Sequence, residues 1–357
     1  MSPTVQPFIP PSAQSLPATA IAGQLNAALA ECHSAVVIAP PGAGKSTLLP
    51  LTMLSAIPEG RIIMLEPRRI AARQVAIRMA QLLDEPVGQT VGYQIRFDRK
   101  ISGKTRIEVV TEGILSRRMT DDPTLDGVSC IIFDEFHERS LQTDLAFCLA
   151  RQIRDILRPD LNLVVMSATI DAAPICQAIG GHEIACSGKM YPVEIIHSDN
   201  DPAPSQIAEM VAAAVSRAHR EHKGDILAFL PGQADIERCT ERLGDSLGPT
   251  AICPLYGNLP TDRQQAAIAP SPTGHRKVVL ATPIAETSIT IEGVRIVIDC
   301  GYYRKLVFDA ATGLSHLETV RISRDMARQR AGRAGRVAPG LCYELWTAAT
   351  DLRMNEQ

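Results

Sequence analysis

The chain has 357 residues, of which 45% are hydrophobic and 21% charged, and its formal net charge is −3. That length exceeds one comfortable hydrophobic core, and the composition is that of a globular chain, which excludes a disordered or fibrous protein. The slightly acidic balance removes any bulk-charge argument for a nucleic-acid partner, so such a site has to come from local clusters.

In chain order, Met1 to Pro17 is rich in Pro and Ser without a basic start or a long apolar core, and reads as a flexible leader, not a signal peptide. Residues 18–197 alternate short Val/Ile/Leu runs with longer amphipathic stretches and form the first expected domain. Strands are predicted at Ala35–Ala39, Arg61–Glu66, Arg106–Thr111, Cys130–Asp134, Leu163–Ser167 and Val193–His197, with helices at Ile70–Leu83, Gly113–Met119 and Leu141–Leu157. Continuous apolar strands imply a sheet covered on both faces, hence a mostly parallel one flanked by helices. Residues 198–204, SDNDPAP, read as the inter-domain linker.

A second alternation fills residues 205–350. It comprises helices Ser205–Glu221, Gln233–Leu243 and Thr261–Ile268, and strands Asp225–Leu230, Thr250–Leu255, Lys277–Thr282 and Val294–Cys300. A β-hairpin is expected over Tyr302–Ile322, turning at Asp309–Gly313, then a strand at Cys342–Trp346 and a polar tail over 351–357. The fold class is therefore α/β, two doubly wound domains in tandem. No apolar run approaches the roughly 18 residues of a membrane span, so no membrane partner is expected. Nine cysteines lie scattered without a C-x-x-C pair, mostly in apolar runs, and read as reduced buried thiols of a cytoplasmic chain.

Two stretches carry the chemistry of the first domain. APPGAGKST, Ala39 to Thr47, follows an apolar strand and precedes a helix-compatible stretch, the setting of a phosphate-binding loop, although Ala39 replaces the first glycine of the pattern. Gly42 and Gly44 allow turns closed to other residues, so that the backbone from Gly42 through Ala43 to Thr47 can wrap phosphates; Lys45 supplies a charge to them and Ser46 a magnesium ligand. The second stretch is Asp134-Glu135-Phe136-His137-Glu138-Arg139 at the end of an apolar strand, where Asp134 can hold magnesium and Glu135 can deprotonate a water. A phosphate loop with paired acids makes a nucleotide hydrolase, and kinases, transporters and motors all remain open. Ser167-Ala168-Thr169 would add two hydroxyls beside the acids. In the second domain QRAGRAGR, Gln329 to Arg336, repeats Arg every three residues, a planar and permanent charge suited to a γ-phosphate.

Together APPGAGKST, LEPRRIAARQVA, TEGIL, DEFHERS, SAT, AFLPG, ATPIAETSITI and QRAGRAGR fall in the order of superfamily 2 helicases. The set resembles a DEAH-box RNA helicase, and the wording of DEFHERS and EPRRIAAR is most similar to the bacterial HrpB group. The resemblance implies two RecA-like domains that use ATP and Mg2+ in a cleft between them, move along single-stranded RNA from 3′ to 5′, and unwind or remodel RNA. It implies Lys45 and Ser46 on phosphate and magnesium, Asp134 on magnesium, Glu135 as base, His137 as the link from the acids to the rest of the site, and Gln329 on the water. Arg333 and Arg336 would be arginine fingers, Ser288 a sensor of the γ-phosphate, and Arg78 a platform for the base, with Ile268 where the family carries an aromatic. RNA contacts are implied at Arg68, Arg69, Thr111, Glu112, Gly113, Tyr256, Gly257 and Thr282. Pro283 departs from the family's usual Asn, which puts that one contact in doubt. The hairpin resembles the family's strand-separating element. The resembling helicases continue into further C-terminal domains, so a truncated chain acting as a monomer is expected. An RNA-stimulated clamp that does not unwind and a DNA-directed translocase would carry the same motifs.

Overall fold

The computed structural model describes residues 6–187, 191–286 and 291–356. The chain divides into two compact units, Met1–Lys189 and Met190–Gln357.

The first unit contains β1 (Ser34–Ile38), β2 (Arg61–Leu65), β3 (Val91–Ile95), β4 (Asp98–Lys100), β5 (Ile107–Val110), β6 (Val128–Phe133), β7 (Asn162–Ser167) and β8 (His182–Ala185). Its helices are α1 (Ala22–Cys32), α2 (Leu49–Met53), α3 (Arg69–Leu82), α4 (Glu112–Asp121), α5 (Leu141–Ile156) and α6 (Ala173–Ile179). The strands form one sheet in the order β4-β3-β5-β2-β6-β7-β1-β8, all parallel except β4, which runs against β3. Strands such as Ser34-Ala-Val-Val-Ile38 and Asn162-Leu-Val-Val-Met-Ser167 are buried along their length because helices cover both faces of the sheet. Two apolar clusters result, one on each face: Leu25, Val37, Met64 and Met79 on one, Val36, Leu65, Phe133 and Phe147 on the other. The parallel arrangement brings the C-terminal ends of β1, β2, β3, β5, β6 and β7 to one edge, where ligands of such sheets bind.

The second unit contains β9 (Val193–His197), β10 (Asp225–Phe229), β11 (Ala251–Leu255), β12 (Lys277–Ala281), β13 (Val294–Asp299), β14 (Tyr302–Asp309), β15 (Leu314–Arg321) and β16 (Gly340–Glu344). Helices α7 (Ile207–Glu221), α8 (Gln233–Leu243), α9 (Thr261–Ile268), α10 (Arg324–Ala331) and α11 (Ala348–Asp351) complete it. Six strands form an all-parallel sheet in the order β11-β12-β10-β13-β16-β9, and β14 and β15 form the separate antiparallel hairpin that the sequence predicts. Helix α7 buries Ile207, Val211, Val215 and Ala218, one face at helical spacing, against this sheet.

Three expectations change. The strand Val193–His197 belongs to the second sheet, where it pairs with β16 from Val193 opposite Gly340 to His197 opposite Glu344. An apolar run announces a strand but not its partner. Residues 198–204 are not a free linker either: the Asp201 carboxylate accepts from Thr347 N–H at 3.1 Å and the Thr350 hydroxyl at 2.7 Å, and Ser198 N–H donates to Glu344 O at 3.0 Å. The leader is docked over its described part. Ala13 is fully buried in the first core, Leu16 packs on it, and Ala18 N–H donates to Ala43 O at 2.9 Å. Its Pro and Ala residues, which look featureless in sequence, fit an apolar surface at little conformational cost. Strands β3, β4 and β8 and helices α1 and α6 have no counterpart among the predicted elements.

Candidate active site

The phosphate loop leaves β1 at the ligand edge. Gly42 and Gly44 take φ of +83° and +94°, a region closed to side-chain-bearing residues, and nothing fills the space beside Gly42. Regular helix begins only at Leu49, after turns in which Leu48 N–H donates to Gly44 O at 2.8 Å. Thr47 and Ser46 are half-buried in these turns, and Ala43 and Lys45 are buried.

Two strands away, β6 delivers the acids, and Ser167 at the end of the intervening β7 lies between. The Lys45 ammonium is 2.5 Å from Glu135 Oε1 and 3.7 Å from Asp134 Oδ1. Burial opposes the charge on Lys45, but the carboxylates of Asp134 and Glu135 outweigh it and hold the ammonium above the ordinary lysine range. Burial pushes the Asp134 carboxyl up, against the pull of Lys45 and of a hydrogen bond from the Ser46 hydroxyl. Glu135 sits at φ +50°, a left-handed conformation that costs a non-glycine residue about 1 kcal/mol or more, so its surroundings must hold it there. Phe136 does so from the next position, its ring 5.1 Å from Phe147 and 6.3 Å from Phe133. His137 Nδ1 lies 3.5 Å from Glu135 Oε2 and 3.3 Å from Ser167 Oγ, so His137 links the acids to the end of β7. Thr169, the second expected hydroxyl, is exposed and outside this network.

The same edge carries the residues expected to meet RNA. Arg68 and the exposed Arg69 follow β2, Thr111 stands just before α4 at the end of β5, and Gly113 is exposed in the first turn of α4. Glu112 faces inward, accepting from the hydroxyls of Ser140 and Thr143. Arg78 is exposed on α3, and its expected counterpart Ile268 ends α9 in the other unit.

In the second unit Tyr256 and the exposed Gly257 follow β11, and Thr282 follows the neighbouring β12, its N–H donating to Leu255 O at 3.1 Å. Pro283 opens the single turn Pro283–Ala285, a first helical position at which a missing N–H costs nothing. Ser288 lies outside the described residues. Gln329 is half-buried near the end of α10. After Ala331 the chain continues in tight turns, with Arg333 N–H donating to Arg330 O at 3.1 Å and Gly335 N–H to Gly332 O at 3.3 Å. Three residues per turn keep the arginines in register. Gly335 is fixed by space, since a Cβ there would stand 2.5 Å from Tyr191 O.

The arginines nonetheless differ in environment. Arg330 is fully buried, 3.0 Å from Glu286 Oε2, 2.8 Å from Asp299 Oδ1 and 4.9 Å from the Phe229 ring centre. Burial opposes its charge, and Asp299 and Glu286 more than offset that. Arg333 is buried with Nε donating to Glu286 O at 3.0 Å, and Arg336 is half-buried. The sequence reading counted Arg330 with the arginines suited to a γ-phosphate, whereas the fold buries it in an ion-pair triad; it passed over Glu286, inside a quoted motif, and Glu66, which is fully buried and adds negative charge beside Lys45. It also missed the turn Arg96–Phe97 at the end of β3, where Phe97 is 90% exposed at φ +66° with the Arg96 guanidinium 4.7 Å above its ring. An exposed aromatic beside arginine was the available signal.

Both units resemble known proteins. The DEAD/DEAH box helicase family matches residues 19–177, and the helicase conserved C-terminal domain matches 205–338. ATP-dependent RNA helicase HrpB of Escherichia coli (strain K12) is 48% identical over 335 residues, which is 93% of this chain and 41% of that protein. Two crystal structures of E. coli HrpB, one described as a DEAH/RHA helicase and one as a DExH-box NTPase, superpose with TM-scores of 0.90 and 0.82 at 46% identity. Each covers 96% of this chain, which spans 44% and 43% of those chains respectively. Two doubly wound units of RecA-like type, each matching one domain of a helicase, place this chain in the DEAD/DEAH box helicase family, as an HrpB-like member.

Proposed function

We propose that the chain hydrolyses ATP when it binds single-stranded RNA and uses the cycle to move along that strand, 3′ to 5′, and to unwind or remodel RNA. The observation that carries this reading is the cluster of Lys45, Asp134, Glu135, His137 and Ser167 on the same sheet edge as Arg68 and Arg69. The donor set fits a nucleotide with magnesium. Gly42 leaves open space beside the loop, and Asp134 Oδ2 is buried with no hydrogen-bond partner among the described residues. Ser46 and Asp134 would hold the ion, which neutralises phosphate charge when bound.

Lys45 is the first residue to act. Its ammonium, now shared by two carboxylates, exchanges them for the phosphates, and Glu135 is thereby released to take a proton from the attacking water. His137 keeps Glu135 aligned through its contact with Ser167. Gln329 orients the water, Arg333 and Arg336 meet the charge on the departing phosphoryl group, Ser288 reports the γ-phosphate, and Arg78 faces the base. Arg68, Arg69, Thr111, Gly113, Tyr256, Gly257 and Thr282 hold the RNA backbone, and Glu112 contributes through its grip on Ser140. The hairpin β14–β15 separates strands.

The test is Glu135→Gln. RNA-stimulated phosphate release should fall by about 10²–10⁴-fold, the range for loss of a general base, with ATP still bound. Retention of RNA-stimulated hydrolysis would remove the assignment.

A further inference from the structure

Glu138 lies three residues beyond Glu135, and the reading above gives it no task. Its carboxylate grips Arg68: Oε2 is 3.3 Å from Nε and Oε1 is 3.3 Å from Nη2, a forked pair between a proposed RNA contact and the acid segment. Glu138 ends the single turn Phe136–Glu138, and its own N–H donates to Glu135 O at 2.9 Å. The far end of the segment is held as well, because Ser140, which caps α5, and Thr143 both donate to Glu112 in the first turn of α4. Residues 135–140 are thus strung between the two loops expected to meet RNA. Glu135 and Arg139, at φ +50° and +48°, bound the turn in left-handed conformations, which cost free energy and so have to be held by the contacts of the segment.

We infer that Glu138 is a positioning residue that competes with RNA phosphate for Arg68, and that this exchange sets where Glu135 stands. The inference rests on the reading of Arg68 as an RNA contact and Glu135 as the base. A guanidinium takes a phosphate in the same forked geometry as a carboxylate. The side chains of Arg68 and Glu138 are 27% and 18% exposed, so the pair is partly buried yet still open to solvent, and a phosphate carrying full charge can reach the guanidinium and replace the carboxylate. Without RNA, the pair ties the turn to β2 and Glu135 stays against Lys45. With RNA on Arg68, Glu138 is released, the turn relaxes from its end, and Glu135 separates from Lys45 toward the water.

The experiment measures ATP hydrolysis against oligouridylate concentration, and oligouridylate affinity by fluorescence anisotropy, for the parent, Glu138→Gln and Glu138→Asp. Glu138→Gln should raise the RNA-free rate and lower the half-saturating RNA concentration, each by about threefold, the scale of a screened ion pair. Glu138→Asp should move both back toward the parent. A merely structural role would lower the rate without tightening RNA binding, and half-saturation does not depend on the fraction of folded enzyme. Parental half-saturation and parental RNA-free rate in Glu138→Gln overturn the inference. If RNA does not stimulate the parent, the functional reading fails, and anisotropy alone then decides: tighter binding by Glu138→Gln upholds the competition for Arg68, and unchanged binding overturns it.

Discussion

Within one eight-residue run, residues of one type serve unlike purposes. Arg330 is a core residue whose guanidinium closes a buried triad with Glu286 and Asp299, whereas Arg336 is half-buried. Removing one partner of a buried ion pair strands the other charges, which costs about 3–5 kcal/mol. Arg330→Ala should therefore lower the melting temperature of the chain by several degrees and reduce ATP hydrolysis only by reducing folded protein. Arg336→Ala should lower the melting temperature by less than Arg330→Ala, since a half-buried side chain leaves no fully buried charge stranded, yet abolish hydrolysis. Thermal denaturation beside a phosphate-release assay checks both, and equal melting temperatures for the two variants would refute the distinction.

At the scale of elements, the phosphate loop is supported from outside its own strand and turn. The Leu16 side chain stands 3.0 Å from where a Cβ would project at Gly44, and Ala18 ties its N–H to Ala43. Leu16→Ala should cost about 1–2 kcal/mol, less than a fully buried leucine because the site is half-exposed, and should weaken ATP binding severalfold. Calorimetric titration with ATP and a melting curve test this; parental ATP affinity would show that the loop holds itself. The docking of this leader was not legible, because Pro, Ser and Ala carry no periodicity even where they fill a surface. The central parallel strands were legible, since Val/Ile runs such as Ala35–Ile38 can hardly be anything else once helices flank them. Strands β3 and β4 were not, being short and interrupted by Gly92 and charged residues, and neither was the sheet to which Val193–His197 belongs, because pairing is a long-range property. Of the site, the loop and the acid pair could be read from residue type and spacing. The pairing of Arg68 with Glu138 could not, because 70 residues separate them in the chain.

For the molecule as a whole, ionisable groups, two buried and one half-buried, run across three adjacent strands of the second sheet and make its stability depend on pH. Asp299 on β13 lies opposite Glu344 on β16, which lies opposite His197 on β9, with His197 Nδ1 3.3 Å from Glu344 Oε2. Burial, followed by the charges of Asp299 and Asp351, pushes the Glu344 carboxyl up to about 8 from an ordinary value of 4.5. The sign follows from proton counting. Between these two values the folded chain keeps a proton that the unfolded chain has lost, so this group makes stability fall as pH rises from about 4.5 to about 8, and the penalty is complete above that. Glu344→Gln keeps the shape and supplies an amide donor to His197 without the charge. Its melting temperature should match the parent near pH 5 and exceed it by about 2–4 °C at pH 8.5, the shift that about 1 kcal/mol produces in a unit of the size of Met190–Gln357. An excess that does not grow with pH would mean that Glu344 is ionised in the fold throughout and would overturn the prediction.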